Sequence, residues 1–277
     1  MRDWLRVLLL VFSVWLSPAL AECVDVRGEL TQGAWLRFES SNISAVRFNE
    51  QLLPLIDDRL SWVGLGRDSA LDNKLRVTFT DGRICEQPIV LRAREYKVSV
   101  VEGVPQRTVT PPQEDFERIR REGALVRAAK QQVYECDACI EQLLSATQMP
   151  LTGRISGVYG SQRIYNGKPG NPHYGLDIAR PTGTPVSAPV MGLVVLAEPD
   201  LYYSGGTVII HHGYGVTSSF LHMSQVSVRV GDMVAQGDKI GEVGATGRAT
   251  GPHLDWRMNF RDNRVDPNTL FSLVPAP

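Results

Sequence analysis

The chain has 277 residues, 43% of them hydrophobic and 21% charged, with a formal net charge of −1. That is enough chain for two domains, or one large one, around a substantial core, and the composition is that of an ordinary soluble globular protein. Near-neutral charge without like-charge runs gives no case for nucleic acid or an anionic membrane surface as partner.

The N-terminus reads as an export signal. Arg2 and Arg6 precede an apolar run from Val7 to Leu16, then Pro18 and the small-residue site Ala19-Leu20-Ala21. The run is too short to span a bilayer, so residues 1–21 are expected to be removed, leaving an exported protein of the periplasm or cell envelope with no stable membrane insertion. An uncleaved anchor is the competing reading. Glu22 ahead of Cys23 does not suit a lipoprotein signal.

Export permits disulfides, and four cysteines allow three connectivities. The pairing Cys23–Cys85, within an N-terminal β unit, with Cys136–Cys139 formed locally, is favoured. Cys136-Asp-Ala-Cys139 has the spacing of a redox pair or half a zinc knuckle. However, no second such pair exists and no thioredoxin-like pattern surrounds it, which favours a structural role.

Residues 22–110 read as a small all-β domain. Leu75, Val77 and Phe79 alternate with Arg76, Thr78 and Thr80, and Asp81-Gly82 supplies a hairpin turn. Trp35, Leu36 and Phe38, and then Leu60, Trp62 and Val63, suggest further strands, and the stretch holds no histidine. Residues 111–148 read as a connecting helix, with Thr110-Pro-Pro-Gln113 as its cap. Ile119, Val126, Val133 and Ile140 recur every seven residues, a stripe that either packs on the protein itself or forms a homodimer seam. From residue 149 to 277, short apolar runs divided by glycines, such as Gly192-Leu-Val-Val-Leu-Ala197 and Thr207-Val-Ile-Ile210, predict an antiparallel β-sheet domain. The fold class is therefore mainly β.

All five histidines fall in this last region. His173-Tyr-Gly-Leu-Asp177 is followed by His222 and by His253-Leu-Asp255. A His with an Asp four residues on, plus a pair of ligand-type residues two apart on a strand, can converge on one metal. Three protein ligands with a fourth position open for water is the pattern of a catalytic zinc. His211 and His212 precede Gly213 and read as turn or surface residues. Gly244-Ala-Thr-Gly-Arg-Ala-Thr-Gly251 lacks the Lys-Ser/Thr ending of a phosphate loop.

Taken in order, a series of landmarks resembles the LytM/lysostaphin-type zinc metallopeptidases. They are Gly157-Val-Tyr-Gly160, His173-x-x-x-Asp177, Pro185-Val-Ser-Ala-Pro189, Tyr203-Ser-Gly-Gly206, Leu221-His222, Val230-Gly-Asp-Met-Val-Ala-Gln-Gly237, Gly244-x-x-Gly247 and Gly251-Pro-His253-Leu-Asp255. The resemblance spans roughly residues 150–270. It implies the duplicated hybrid motif fold and a peptidase acting on the peptides of peptidoglycan with one zinc ion. It further implies His173 and Asp177 as zinc ligands, His222 and His253 as catalytic histidines, and Tyr203 as a hydroxyl presented to the oxyanion. The family's third ligand is usually a histidine, and here it is Asp255. Residues two apart on a strand share a face, and aspartate is an accepted zinc ligand, so Asp255 is expected to complete the set. Two carboxylates would formally neutralise the ion and weaken its Lewis acidity. An Arg257–Asp255 pair would tie up that carboxylate, which leaves a non-catalytic regulator or peptidoglycan-binding scaffold acting on cell-wall amidases as the alternative.

Overall fold

The computed structural model describes residues 23–273, so the expected export signal, residues 1–21, lies outside them. Among the described residues no helix is long and apolar enough to cross a membrane.

Two small four-stranded antiparallel sheets form the N-terminal unit. One runs in the order Asp25–Arg27, Trp35–Glu39, Leu60–Gly64, Leu55–Ile56. The other runs Gln51–Leu52, Ile43–Phe48, Asp72–Phe79, Ile84–Val90. The expected alternation holds: Leu75, Val77 and Phe79 point inward, and Gly82 takes the positive φ that the hairpin turn requires. Both favoured disulfides, Cys23–Cys85 and Cys136–Cys139, are formed.

The connecting region departs from the single helix expected. Thr110 ends a four-residue helix, Gln106–Val109, rather than starting a long one. A 3-10 turn at Gln113–Asp115 then leads into the helix Phe116–Lys130, and a second helix covers Asp137–Ala146. The sevenfold stripe is therefore interrupted. Val133 lies in the connector and is 96% exposed, whereas Ile140 is fully buried in the core. Tertiary contact overrides the helical period at this point. Tyr134 accepts the Tyr214 amide, Cys136 lies against Gly213, and the Cys136 sulfur caps the second helix by accepting the Cys139 amide. A broken stripe gives no continuous coiled-coil seam.

The C-terminal half is built on a ten-stranded sheet whose main path runs Arg154–Gly157, Leu176–Ala179, His253–Phe260, Val216–Val226, Gly205–Gly213, Gly192–Leu201, Met233–Val234, all antiparallel. A separate three-stranded sheet crosses the halves. Val98–Val101, from the end of the N-terminal unit, pairs in parallel with Gln162–Tyr165, which also pairs with Lys168–Pro169.

The two β units share one apolar core. Phe260 meets Trp35 edge-on at 6.2 Å between ring centroids, and a Cβ on Gly64 would lie 2.7 Å from the Phe260 Cβ. The Trp35 amide donates to Thr269, and Asp266 donates its own amide to the Gly33 carbonyl. Phe260→Ala is thus expected to cost about 3–5 kcal/mol. Chemical denaturation followed by tryptophan fluorescence should show one transition moving for the whole chain; two transitions of which only one shifts would contradict the shared core.

Candidate metal centre

The site is made by two adjacent strands. In Leu176–Ala179, Leu176 and Ile178 enter the core, so Asp177 projects from the other face. In His253–Phe260, Leu254, Trp256 and Met258 are fully buried, which sends His253, Asp255 and Arg257 to that same face. The register sets Asp177 directly opposite Asp255. Two glycines make room for the carboxylates. A Cβ on Gly157 would come 2.1 Å from an Asp177 oxygen, and one on Gly175 would come 2.2 Å from an Asp255 oxygen.

His173 precedes the first strand and reaches over both acids. One ligand atom from each of His173, Asp177 and Asp255 falls within 4.8 Å of the others, and all three residues are buried. The imidazole Nδ1 is directed at the Val158 carbonyl, which leaves Nε2 facing the carboxylates. Nε2 lies 2.9 Å from Asp177 Oδ1 and 3.4 Å from Asp255 Oδ2, yet neither Nε2 nor Oδ1 makes an aligned hydrogen bond. Buried polar atoms left without partners around a common point are what a cation site requires, and the donor set of one imidazole and two carboxylates suits a zinc-like ion.

Two arginines hold the carboxylates, and Arg257 engages both oxygens of Asp255. Arg163 Nη2 donates to Asp177 Oδ2 at 2.6 Å, and Arg257 donates to Asp255 from Nη2 at 2.5 Å and from Nε at 3.0 Å. The pair anticipated from Arg257 therefore forms, and Arg163 supplies a second one. Burial alone would raise the Asp177 carboxyl, but His173 and Arg163 hold it below the usual range. Burial acts the same way on Asp255, where Arg257 and His173 pull it well below. For His173 burial works toward the neutral ring, but Asp255 and Asp177 override it and raise the group to about 9. In the metal-free protein the imidazole is therefore protonated at neutral pH.

His222 and His253 stand beside this set, their rings 4.8 Å apart. Each is oriented through Nδ1, His222 by the Thr246 carbonyl and His253 by the Gly251 carbonyl, both at 2.8 Å. Nδ1 is thereby engaged in both rings, which leaves Nε2 of each as the free nitrogen. Burial lowers His222 to about 4, so it is neutral at physiological pH. His222 also holds a left-handed φ of 65°, fixed by its amide donating to the Ser204 carbonyl. A strained non-glycine backbone at such a position is common in functional sites. Tyr203 lines the same cleft, its ring edge-on to Tyr202.

All six residues singled out from the sequence thus line one cleft of about 770 Å³. Arg163 and Arg248 also line it and carry no local sequence signal. Arg163 enters from a different sheet, so only the tertiary fold brings it to Asp177. His211 and His212 lie elsewhere, and they are not turn or surface residues. Both are fully buried in the strand Gly205–Gly213, with His212 bridging the Met191 carbonyl and the Ser218 hydroxyl. The apolar run of that strand continues through them, and burial lowers His212 to about 4.

A family model for peptidase family M23 matches residues 171–267. Over 123 residues the chain is 39% identical to the peptidoglycan DD-endopeptidase ShyA of Vibrio cholerae serotype O1, covering 44% of this chain and 28% of that protein. It superposes on a solved peptidase M23 structure from Pseudomonas aeruginosa with a TM-score of 0.67 and 28% identity, covering 88% of this chain and 96% of the other. It is 31% identical to the catalytic domain of lysostaphin from Staphylococcus simulans, covering 43% of this chain and 93% of that domain, with a TM-score of 0.40. The chain spans less than a third of the length of the curated relatives at the head of the comparison. The domain that carries His173, Asp177, His222, His253 and Asp255 is an M23 domain, and the chain belongs to peptidase family M23.

Proposed function

We propose that this protein is a zinc metalloendopeptidase of the cell envelope that hydrolyses peptide bonds in the stem peptides or cross-links of peptidoglycan. The observation that carries the reading is the buried convergence of His173 Nε2 with the Asp177 and Asp255 carboxylates, flanked by two histidines already oriented through Nδ1. The likeness to an M23 enzyme named as a peptidoglycan endopeptidase supports the substrate class. One zinc ion would be held by His173, Asp177 and Asp255, and when bound it supplies Lewis acidity at a peptide carbonyl.

The remaining chemistry belongs to side chains of this protein. Neutral His222 accepts a proton from the attacking water at Nε2. His253 hydrogen-bonds the same water or the developing oxyanion, and Tyr203 offers its hydroxyl from the cleft wall. Arg257 and Arg163 draw carboxylate charge outward, so the two acids neutralise an ion less completely than their formal charges suggest. This tempers the weak Lewis acidity expected from two aspartates.

The two arginine pairs also favour a second reading, in which they keep the carboxylates satisfied without metal and the cleft only binds peptidoglycan or regulates an amidase. Metal and turnover separate the two. Purified mature protein given zinc should hold one ion and cleave muropeptides, and His173→Ala should lose both, with cleavage falling at least about a hundredfold; mass spectrometry of the fragments and metal analysis check this. Cleavage unchanged in His173→Ala would end the enzyme assignment.

Binding should also depend on pH. Since the folded His173 sits near 9 rather than at its ordinary 6.5, its proton stabilises the metal-free protein fully below about pH 6.5, a contribution that fades as pH rises through 9. An ion requires the unprotonated ring, so affinity should climb across that window, approaching tenfold per pH unit, with about one proton released per ion at neutral pH. Isothermal titration in buffers of different ionisation enthalpy counts the protons, and a count of zero contradicts the arrangement. Finally, Arg257→Gln should lower the stability of the metal-free chain by about 3 kcal/mol, and saturating zinc should restore most of that loss. Equal losses with and without zinc would show that Arg257 does not compete for the Asp255 charge.

A further inference from the structure

The charge of the cleft is lopsided. Its lining includes two carboxylates, Asp177 and Asp255, each already taken by an arginine. Three further arginines, Arg154, Arg248 and Arg264, also line it, and among the described residues none of them has a carboxylate within 4.0 Å. Arg154 and Arg264 are exposed, but Arg248 is half-buried and fixed in place. Its guanidinium carbon lies 4.3 Å from the centre of the Tyr165 ring and 5.0 Å from that of Tyr203. Its amide donates to the Tyr203 carbonyl at 2.9 Å. The preceding Gly247 holds a φ of 69° and packs so closely that a Cβ would sit 2.5 Å from the Gly205 amide nitrogen. Loop and ring contacts therefore hold one cation in place beside the candidate catalytic residues.

A guanidinium flanked by aromatic rings keeps its edge N–H groups free. That geometry favours a planar, bidentate anion, above all a carboxylate. We infer that Arg248 is the receptor for a carboxylate of the bound peptide, so that the cleft selects peptides with a free carboxylate near the scissile bond over the same peptides amidated. Arg154 and Arg264 extend the favourable field along the groove. Tyr203 then has a second task, holding Arg248 in position. The inference rests on the peptidase reading of the cleft, and its test is built to fail separately.

The probes are a synthetic cross-linked stem-peptide dimer with free carboxylates and its amidated counterpart. Binding to the zinc-loaded mature protein is read by fluorescence anisotropy before turnover, and cleavage by kcat and KM. Wild type should favour the free-carboxylate dimer by roughly tenfold to a hundredfold, the range one charge-assisted hydrogen-bonded pair supplies. In Arg248→Gln that ratio should collapse toward unity through KM rather than kcat, and Arg248→Lys should recover part of it. Cleavage of both dimers without preference by wild type overturns the inference and leaves the peptidase reading standing. Preference in binding without cleavage does the reverse. A ratio unchanged in Arg248→Gln, or a fall in kcat equal on both dimers, also overturns it.

Discussion

Two carboxylates face each other across adjacent strands in the interior, and everything at the site follows from that opposition. Asp177 and Asp255 are register partners and both are buried. Like charges placed this way repel, and burial makes the repulsion stronger. Positive charge must sit among them, and the protein supplies it in two layers. Arg163 binds the outer oxygen of Asp177 and Arg257 binds both oxygens of Asp255, while His173 lies over the inner space with its proton. An ion would take the place of that proton between Asp177 Oδ1 and His173 Nε2, which have no other aligned partner, and would share the Asp255 carboxylate with Arg257. The same arginines that make a metal-free resting state tolerable would also limit how far two aspartates quench a bound ion. One pair of contacts thus bears on both stability and reactivity.

The rest of the fold holds this geometry still. Strand alternation sends Leu254, Trp256 and Met258 into a core that continues into the N-terminal sheets, so the strand bearing Asp255 is anchored from beneath. The N-terminal half contributes to the cleft as well. Val98–Val101 pairs with Gln162–Tyr165, and that second strand carries Arg163 and Tyr165, one residue for the metal centre and one for Arg248. The wall of the cleft is therefore a joint product of both halves, and its surplus of arginines gives it a chemical preference that the ligand set alone does not.

Much of this is legible in the sequence, because short-range periodicity controls it. The alternation at Leu75, Val77 and Phe79 needs only neighbouring residues, and so does the shared face of His253, Asp255 and Arg257. The ordered landmarks of the C-terminal half carry the family. What escapes depends on contacts between distant segments. The sevenfold stripe looks continuous until Tyr134 and Cys136 are seen against Gly213 and Tyr214, where the chain must leave the helix to make those contacts. His211 and His212 look like turn residues beside a glycine, but the strand runs through them into the core. Arg163 and Arg248 have no local pattern, since their partners come from other elements of the fold. The opposition of Asp177 and Asp255 is likewise a fact of register, invisible in the spacing of either motif.

The most direct test is anomalous diffraction at the zinc edge from crystals soaked with the ion. A single strong peak is predicted, bounded by His173 Nε2, Asp177 Oδ1 and the Asp255 carboxylate, with Arg163 still on Asp177 Oδ2 and Arg257 still paired with Asp255. Crystals that show no peak there, with the acids held by the arginines and His173 alone, would contradict it.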